Sequence, residues 1–209
     1  MLQKNNEIMK VAVMASGRGS NFQAIIDSSE RGEMPNAQIV HLIADNKDAY
    51  AIQRASKHKI DYTVIESKKY SREDFEVRTL KVLQNKKVDV IVLAGFMRIL
   101  TSKFINSYKN KIINIHPSLL PSFPGAHAHR DTISYGAKIS GCTVHLVDEG
   151  VDTGPIIMQA SLQVDENETE ETLSQKILPL EHELLPRALE LFCSKKLKID
   201  GRNVSIITD

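Results

Sequence analysis

Cysteine is scarce in this sequence, with only Cys142 and Cys193 among 209 residues. No Cys-x-x-Cys pair occurs, so neither a disulfide framework nor a thiolate metal site is indicated. Long apolar runs are also missing: no stretch approaches the roughly 20 residues of a membrane span, and the first residues lack the apolar segment of a signal peptide. We therefore expect a protein of the reducing cytoplasm that is neither exported nor embedded in a membrane.

A surplus of either charge is absent too. The 27 Lys and Arg residues nearly balance 26 Asp and Glu residues, for a net charge of +1. A surface that binds a polyanion needs a basic excess, so nucleic acid is not expected as a partner. The length and the 42% hydrophobic content suit one globular domain. We predict a single domain over 1–209, with residues 1–9 as an extension that need not be ordered.

Apolar segments alternate with amphipathic ones along the first half of the chain. Strands are predicted near 11–15, 39–43, 62–65, 88–95 and 112–116, with helices between them near 22–26, 49–58, 72–84 and 103–108. The run 88–95 is almost continuously apolar, as in a parallel strand that is covered on both faces. This order predicts an α/β fold with a doubly wound, mostly parallel, Rossmann-like sheet.

The second half of the chain has a different pattern. Two strands, antiparallel in part, are predicted at 142–147 and 156–164, and a helix over 170–192 that Pro179 and Pro186 should bend or split. Prolines are dense at 117–124, so we predict a cis bond at Leu120–Pro121 or a neighbouring X–Pro pair. The Pro, Gly and Ser content of 118–139 predicts a mobile loop.

The run Ser-Gly-Arg-Gly-Ser-Asn at 16–21 is the first candidate for a site. A glycine-rich turn between a strand and a helix aims several backbone N–H groups at one point, as in a phosphate cradle. The spacing matches neither the dinucleotide fingerprint nor a Walker A loop. From these residues alone, a phosphate site and a simple capped turn remain equally open.

A second candidate is the pair Asn114 and His116, because residues two apart on a strand project from the same face. Pro117 keeps His116 extended, and strand ends are where open α/β sheets bind ligands. Taken alone, the pair is more simply a structural Asn with a satisfied core histidine. The acidic turn at 148–155, which includes Asp152, likewise suits a solvated turn. Together, however, an Asn, a His and a carboxylate can move protons around a tetrahedral centre.

The remaining histidines carry weaker signals. His127 and His129 lack the helical His-x-x-x-His spacing and no cysteine joins them, so a metal is not expected. No Gly-x-Ser-x-Gly elbow supports a serine hydrolase. The other four histidines are interpreted as structural or surface residues: His41, His58, His145 and His182.

Four segments, at 16–21, 92–100, 113–121 and 141–155, resemble the phosphoribosylglycinamide formyltransferase family. The resemblance runs from about 10 to about 197. Its Asn-x-His-Pro-Ser-Leu-Leu-Pro and Asp-x-Gly-Pro signals are typical of all 10-formyltetrahydrofolate-dependent formyltransferases, and the Gly-Ser-Asn loop narrows the choice. The resemblance implies formyl transfer to the amine of glycinamide ribonucleotide in de novo purine synthesis. It implies 10-formyltetrahydrofolate as co-substrate, no tightly bound cofactor or metal, and a monomer or homodimer.

The resemblance also implies roles for individual residues. The turn at 148–152 is expected to line the pterin pocket, while Arg18 and the apolar Leu178 depart from the family pattern. The implied catalytic residues are Asn114, His116 and Asp152. The implied site for glycinamide ribonucleotide, the acceptor of the formyl group, is Gly19, Ser20, Asn21 and Glu181. The implied folate site is Arg72, Met97, Arg98, Ile99, Leu100 and Asn114.

Alternatives remain open at this point. Methionyl-tRNA formyltransferase shares the Asn, His and Asp core but carries a further tRNA-binding domain, and formyltetrahydrofolate hydrolase carries an N-terminal regulatory domain. The length of 209 residues makes us expect neither. A catalytically silent module that binds folate or nucleotide is the alternative from another class.

Overall fold

A seven-stranded sheet forms the centre of the computed structural model, which describes residues 8–208. The strand order is β3-β2-β1-β4-β5-β6-β7. The first five strands are parallel, and β6 is antiparallel to both of its neighbours, β5 and β7. The predicted fold class is therefore confirmed. The strands are β1 (Met9–Ala15), β2 (Ala37–Ala44), β3 (Tyr62–Val64), β4 (Val90–Leu93), β5 (Ile112–His116), β6 (Ile139–Leu146) and β7 (Ile156–Gln163).

Helices cover both faces of the sheet, and the alternation of strand β1 accounts for this arrangement. Val11, Val13 and Ala15 pack with one helical layer, whereas Ala12 and Met14 pack with the other. The first layer includes α1 (Ser20–Glu30) and α6 (Glu170–Cys193), and the second includes α3 (Arg72–Asn85) and α4 (Ser102–Ser107). The remaining helices are α2 (Ala51–Lys57) and α5 (Ala128–Tyr135).

The prolines Pro179 and Pro186 were predicted to bend or split helix α6. The helix runs unbroken through both, so the split is wrong and the bend stays a prediction. Each internal proline costs about 3 kcal/mol of helix stability. The helix buries an apolar face that includes Leu173, Ile177 and Leu185, each worth roughly 1.5–3 kcal/mol. A Thr169 capping box also stabilises its first turn. Packing and capping therefore outweigh the two missing hydrogen bonds.

Other differences from the sequence prediction lie near the site and at the chain ends. The second part of the predicted loop 118–139 is helix α5, whereas 117–127 has no regular structure, and its mobility stays a prediction. A hairpin of β8 (Leu197–Asp200) and β9 (Asn203–Ile206) was not predicted. Met9 already belongs to β1, so it is not part of an extension, and residues 1–7 lie outside the described residues. The predicted cis bond at Leu120–Pro121 is confirmed.

Candidate active site

Two loops meet where the strand order reverses, between β1 and β4. The glycine loop (residues 16–21) follows β1, and the β4 loop (residues 94–101) follows β4. Ser16 joins them, because its N–H donates to the Gly95 carbonyl at 3.2 Å and its Oγ accepts from the Met97 N–H at 3.0 Å. Such a switch point at the carboxyl ends of parallel strands is the usual ligand position in open α/β sheets.

Asn114, His116 and Asp152 lie together beside this switch point. Asp152 Oδ2 is 3.3 Å from His116 Nδ1, and its Oδ1 accepts from Asn114 Nδ2 at 3.4 Å. The Gly125 N–H also donates to Asp152 Oδ2 at 2.8 Å. Asp152 itself has a positive φ of 54°, a sparsely populated conformation that the surrounding hydrogen bonds hold in place. The structure thus brings the three predicted catalytic residues into direct contact.

The His116 ring lies between two acceptors. Its Nε2 donates to the Phe123 carbonyl at 2.8 Å, and its Nδ1 faces the Asp152 carboxylate. Both contacts favour the doubly protonated ring. Burial has the larger effect and lowers the pKa of His116 below its ordinary value, although the Phe123 carbonyl and Asp152 raise it. The expected influence of Asp152 is therefore present, but desolvation outweighs it.

Asp152 stays ionised more readily than an ordinary carboxylic acid. Burial alone would raise the pKa of Asp152, but the neighbouring His145 ring, the hydrogen bond from the Gly125 N–H and the His116 ring together lower it. A carboxylate beside a histidine whose pKa is lowered can accept a proton or pass one on. The trio can therefore perform acid–base chemistry on a bound reactant.

His145 also belongs to this cluster, although sequence reasoning interpreted it as structural or surface. Its Nδ1 donates to the Leu146 carbonyl at 2.9 Å, so its Nε2 is free to accept from Asn114 Nδ2 at 3.1 Å. Strand β6 pairs antiparallel with β5 and sets His145 directly opposite Asn114. Thr143 and His145 alternate with apolar residues in the sequence, and this pattern could have indicated a shared polar face.

The segment after β5 holds the Phe123 carbonyl toward His116. Ser118 Oγ donates to the Ser122 carbonyl at 2.6 Å and lies 3.2 Å from that of Phe123. Thr143 Oγ1 donates in turn to the Ser118 carbonyl at 2.7 Å. Strand β6 therefore carries His145 and, through Thr143, also supports the segment that holds the Phe123 carbonyl.

A cavity of about 330 Å³ opens beside these residues. Its walls include Asn114, His116, Asp152 and much of the 148–152 turn. They also include four predicted folate residues of the β4 loop: Met97, Arg98, Ile99 and Leu100. Met97 is 74% exposed and Ile99 is 58% exposed, so both offer apolar surface to a ligand.

The two arginines predicted for folate have different positions. Arg98 lies on the cavity wall, and its guanidinium is 5.0 Å from the centre of the Phe75 ring. Arg72 is exposed at the first residue of α3, and among the described residues it is not part of the wall. The structure therefore brings Arg98, but not Arg72, to the cavity.

Glu76 of helix α3 supports the β4 loop and is only 4% exposed. Its carboxylate accepts from the Thr101 N–H at 2.7 Å and from the Thr101 hydroxyl. Phe75 stacks on Phe96 with ring centres 6.2 Å apart. Glu76 is not among the predicted site residues, because a carboxylate in a charged helix gives no sign in the sequence that it is buried.

The glycine loop packs tightly against helix α2. Gly19 has a φ of 66°, and a Cβ at this position would lie 2.7 Å from Ala51 Cβ. Glycine is therefore required both by conformation and by space. The loop leads directly into α1, whose N-terminus adds a positive dipole end near Ser20.

Asn21 and Glu181 form a pair between α1 and α6. Asn21 Nδ2 donates to Glu181 Oε2 at 2.8 Å, and both residues are buried. Burial raises the pKa of Glu181, and the hydrogen bond from Asn21 offsets this only in part. Leu178, one turn earlier on α6, is half-buried, and Arg18 of the glycine loop is exposed. The residues predicted to bind glycinamide ribonucleotide thus lie on the glycine loop and on α6, which the hydrogen bond between Asn21 and Glu181 joins.

Within residues 8–208, no group of three or more His, Cys, Asp or Glu side chains could hold a metal ion. Cys142 and Cys193 are buried free thiols, and burial raises the pKa of each to about 12. No helix in the described part of the chain is both long and apolar enough to cross a membrane.

Comparison with known proteins places this geometry in context. A family model described as "Formyl transferase" matches residues 9–189. The chain is 43% identical over 182 residues to the phosphoribosylglycinamide formyltransferase of Bacillus subtilis, covering 87% of this chain and 93% of that protein. It is 45% identical over 191 residues to the trifunctional purine biosynthetic protein adenosine-3 of Drosophila pseudoobscura pseudoobscura, covering 90% of this chain.

This chain spans only 14% of the length of that trifunctional relative. Among solved structures, the glycinamide ribonucleotide transformylase 1 of Symbiobacterium toebii superposes with a TM-score of 0.95 at 40% identity. That match covers 100% of this chain and 98% of the other.

Proposed function

Because this chain belongs to the formyl transferase family, we propose that it is a phosphoribosylglycinamide formyltransferase. It transfers the formyl group of 10-formyltetrahydrofolate to the amine of N1-(5-phospho-D-ribosyl)glycinamide, in de novo purine biosynthesis. The observation that carries the proposal is the contact of one carboxylate, Asp152, with both His116 and Asn114 at the wall of the cavity.

In the proposed reaction, the neutral amine of the acceptor attacks the formyl carbon and a tetrahedral centre forms. Asn114 Nδ2 and the protonated His116 ring donate hydrogen bonds to its developing oxyanion. To do so, Asn114 gives up its 3.4 Å bond to Asp152, and His116 gives up its bond to the Phe123 carbonyl. Losing one such donor typically costs about 10²–10³ in rate. The His145 acceptor supports this role, because it orients the Asn114 amide with its N–H groups toward the centre of the cluster.

Proton transfer is assigned to Asp152. Its lowered pKa keeps it ionised, so it stabilises the His116 imidazolium and accepts a proton from the attacking amine through water. The same proton then passes to the departing N10 of the folate. No covalent intermediate with the protein is required.

The folate is a co-substrate that binds and leaves in each turnover, with no tightly bound cofactor. We assign the cavity to it, with 97–100 as one wall and the 148–152 turn around the pterin. Arg98 meets a carboxylate of the glutamate tail, since a guanidinium pairs well with that group. We assign Arg72 to the same ligand, at a point outside the cavity wall.

The acceptor binds at the glycine loop and the buried pair. Backbone N–H groups of Gly19 and Ser20, with the α1 dipole, hold its phosphate. Asn21 belongs to the same phosphate site, and Glu181 contacts the other end of the acceptor. The two substrates then meet beside Asn114, because Ser16 joins the two loops.

The remaining parts of the proposal concern the setting of the enzyme. The chain acts as one formyltransferase domain in the cytoplasm, as a monomer or homodimer, without a nucleic acid or a membrane as partner. Its near-neutral charge balance supports the absence of nucleic acid.

Turnover of 10-formyl-5,8-dideazafolate tests the proposal. We expect release of deformylated product only when glycinamide ribonucleotide is present, and its loss in His116→Ala. Product without acceptor would instead indicate a hydrolase, and saturable uptake of the analogue without product would indicate a silent binding module.

A further inference from the structure

Arg54, on helix α2, contacts the back of the glycine loop. Its Nε donates to the Arg18 carbonyl at 2.9 Å. Next to it, the Ala51 N–H donates to the Gly17 carbonyl at 3.2 Å. Two successive carbonyl groups of the loop are therefore held toward α2.

The direction of these carbonyls fixes the direction of the next N–H groups. In a trans peptide, the C=O of one residue and the N–H of the next point in opposite directions. The N–H groups of Arg18 and Gly19 therefore point away from α2. Within residues 8–208 neither has a protein acceptor. They are free to donate to a ligand on the open side of the loop.

The Arg54 guanidinium is itself held on two further sides. Its NH1 donates to Gln23 Oε1 at 2.9 Å, and it lies 5.0 Å from the centre of the Tyr50 ring. The Gln23 amide is oriented in turn, because its Nε2 donates to Asp27 Oδ1 at 2.7 Å. A planar fork with several donors can join the loop carbonyl to α1 in this way, whereas a lysine cannot.

We propose that Arg54 is a positioning residue for the phosphate of the acceptor: by holding the Arg18 carbonyl, it turns the Gly19 N–H toward the bound anion. This inference rests on the proposed function of the glycine loop. It adds a residue that contacts the loop and not the substrate.

A rival explanation is that Arg54 acts only through its charge. A cavity of about 230 Å³ beside Ser20 is lined by both Arg54 and Arg31. Arg31 has the same charge, but it pairs with Glu33 at 2.8 Å. Arg31→Ala is therefore a matched control, because it removes a cation from the same cavity without touching the loop.

The first test is a titration with inorganic phosphate, followed through the amide resonances of Gly19 and Ser20 by NMR. We expect saturable shifts in the wild type and in Arg31→Ala, and a loss of affinity of about tenfold or more in Arg54→Ala, the effect of one charged hydrogen bond. Unchanged affinity in Arg54→Ala, equal losses in both variants, or no phosphate response in the wild type would overturn the inference.

Arg54→Lys is the second variant, in case Arg54→Ala does not fold. It keeps the charge and the stem over Tyr50 but cannot make both hydrogen bonds. We expect a raised KM for glycinamide ribonucleotide, with the KM for the folate donor and the melting temperature unchanged. A wild-type acceptor KM in this variant would mean that charge alone suffices, and would refute positioning. If the wild type transfers no formyl group at all, the proposed function fails, while the phosphate titration still decides the role of Arg54.

Discussion

Asn21 and Glu181 are 160 positions apart in the chain, yet their side chains share a buried hydrogen bond of 2.8 Å. One residue lies in the first turn of the first helix and the other lies inside the last helix. The carboxylate is buried, so it needs this donor. The pair therefore links the glycine loop to the opposite end of the sequence.

Glu181→Gln keeps the shape of this pair but removes the charge. Since burial raises the pKa of Glu181 above its ordinary value of 4.5, the ionised form costs stability at neutral pH. This cost disappears as pH falls through the folded-state pKa, where the carboxyl binds its proton. We therefore expect the variant to be the more stable protein at neutral pH, with a difference that vanishes in acid. Thermal melts at several pH values measure this.

Glu181→Gln should also weaken the binding of glycinamide ribonucleotide. We expect the KM for glycinamide ribonucleotide to rise about tenfold, because a charged acceptor of hydrogen bonds is lost, while the donor KM is unchanged. Steady-state kinetics with each substrate varied in turn provide the measurement. Equal changes in both KM values would argue against the assignment of Glu181 to the acceptor.

Asp152→Asn should separate turnover from binding. We expect formyl transfer to fall by about 10²-fold or more, the usual size of a proton-transfer contribution. Both substrates should still bind, because the glycine loop and the β4 loop are untouched. The pKa of His116 should fall further in the variant, since the carboxylate that opposes the effect of burial is lost.

NMR titration of His116 and single-turnover transfer, in both proteins, measure these effects. Because the pKa of Asp152 is lowered, its charge stabilises the folded protein at pH values above the ordinary pKa of 3.8. This stabilisation is lost as the pH falls through the folded-state pKa. The variant should thus be slightly less stable at neutral pH. An unchanged His116 pKa with near-normal transfer would reduce Asp152 to a structural turn residue.

The two arginines should differ in their effect on the donor. Arg98 lies on the cavity wall, whereas Arg72 does not, so Arg98→Ala should raise the donor KM by roughly tenfold and Arg72→Ala by a smaller factor. The acceptor KM should stay constant in both. The reverse order would mean that the folate tail follows helix α3 instead of the β4 loop.

Glu76→Ala should loosen the β4 loop. The change leaves the Thr101 N–H without its acceptor, which costs about 1–3 kcal/mol of unfolding free energy. Glu76→Gln is the control, because its amide oxygen can still accept one of the two bonds. Chemical denaturation and the donor KM should both show the alanine variant as the more affected. Equal behaviour of the two variants would show that the carboxylate charge, and not the hydrogen bond to Thr101, is what matters.

Much of the sheet could be predicted from the sequence, because its parallel strands are buried on both faces and read as apolar runs. Strand β4 and its neighbours are confirmed within a few residues. Helix α5 was missed, since it is only 8 residues long and follows three closely spaced prolines. The continuity of α6 could not be predicted either, because it depends on what the helix packs against.

The contact between site residues was predictable in part. Asn114 and His116 share one strand face, which predicts that they lie together, whereas their proposed role and that of Asp152 came from the family resemblance. His145 was missed because its importance arises from the antiparallel register of β5 and β6, which one sequence does not contain. The position of Arg72 was likewise beyond reach, since it depends on where α3 begins relative to the cavity.

The hydrogen bond between Ser16 Oγ and the Met97 N–H has a consequence for how strongly each substrate binds when the other is present. A ligand that immobilises the glycine loop also restricts the β4 loop, so the second ligand loses less conformational entropy when it binds. We therefore expect positive cooperativity between acceptor and donor. Thermodynamic linkage makes the effect symmetric: each substrate should raise the affinity for the other by the same factor, which calorimetric titrations in both orders can measure.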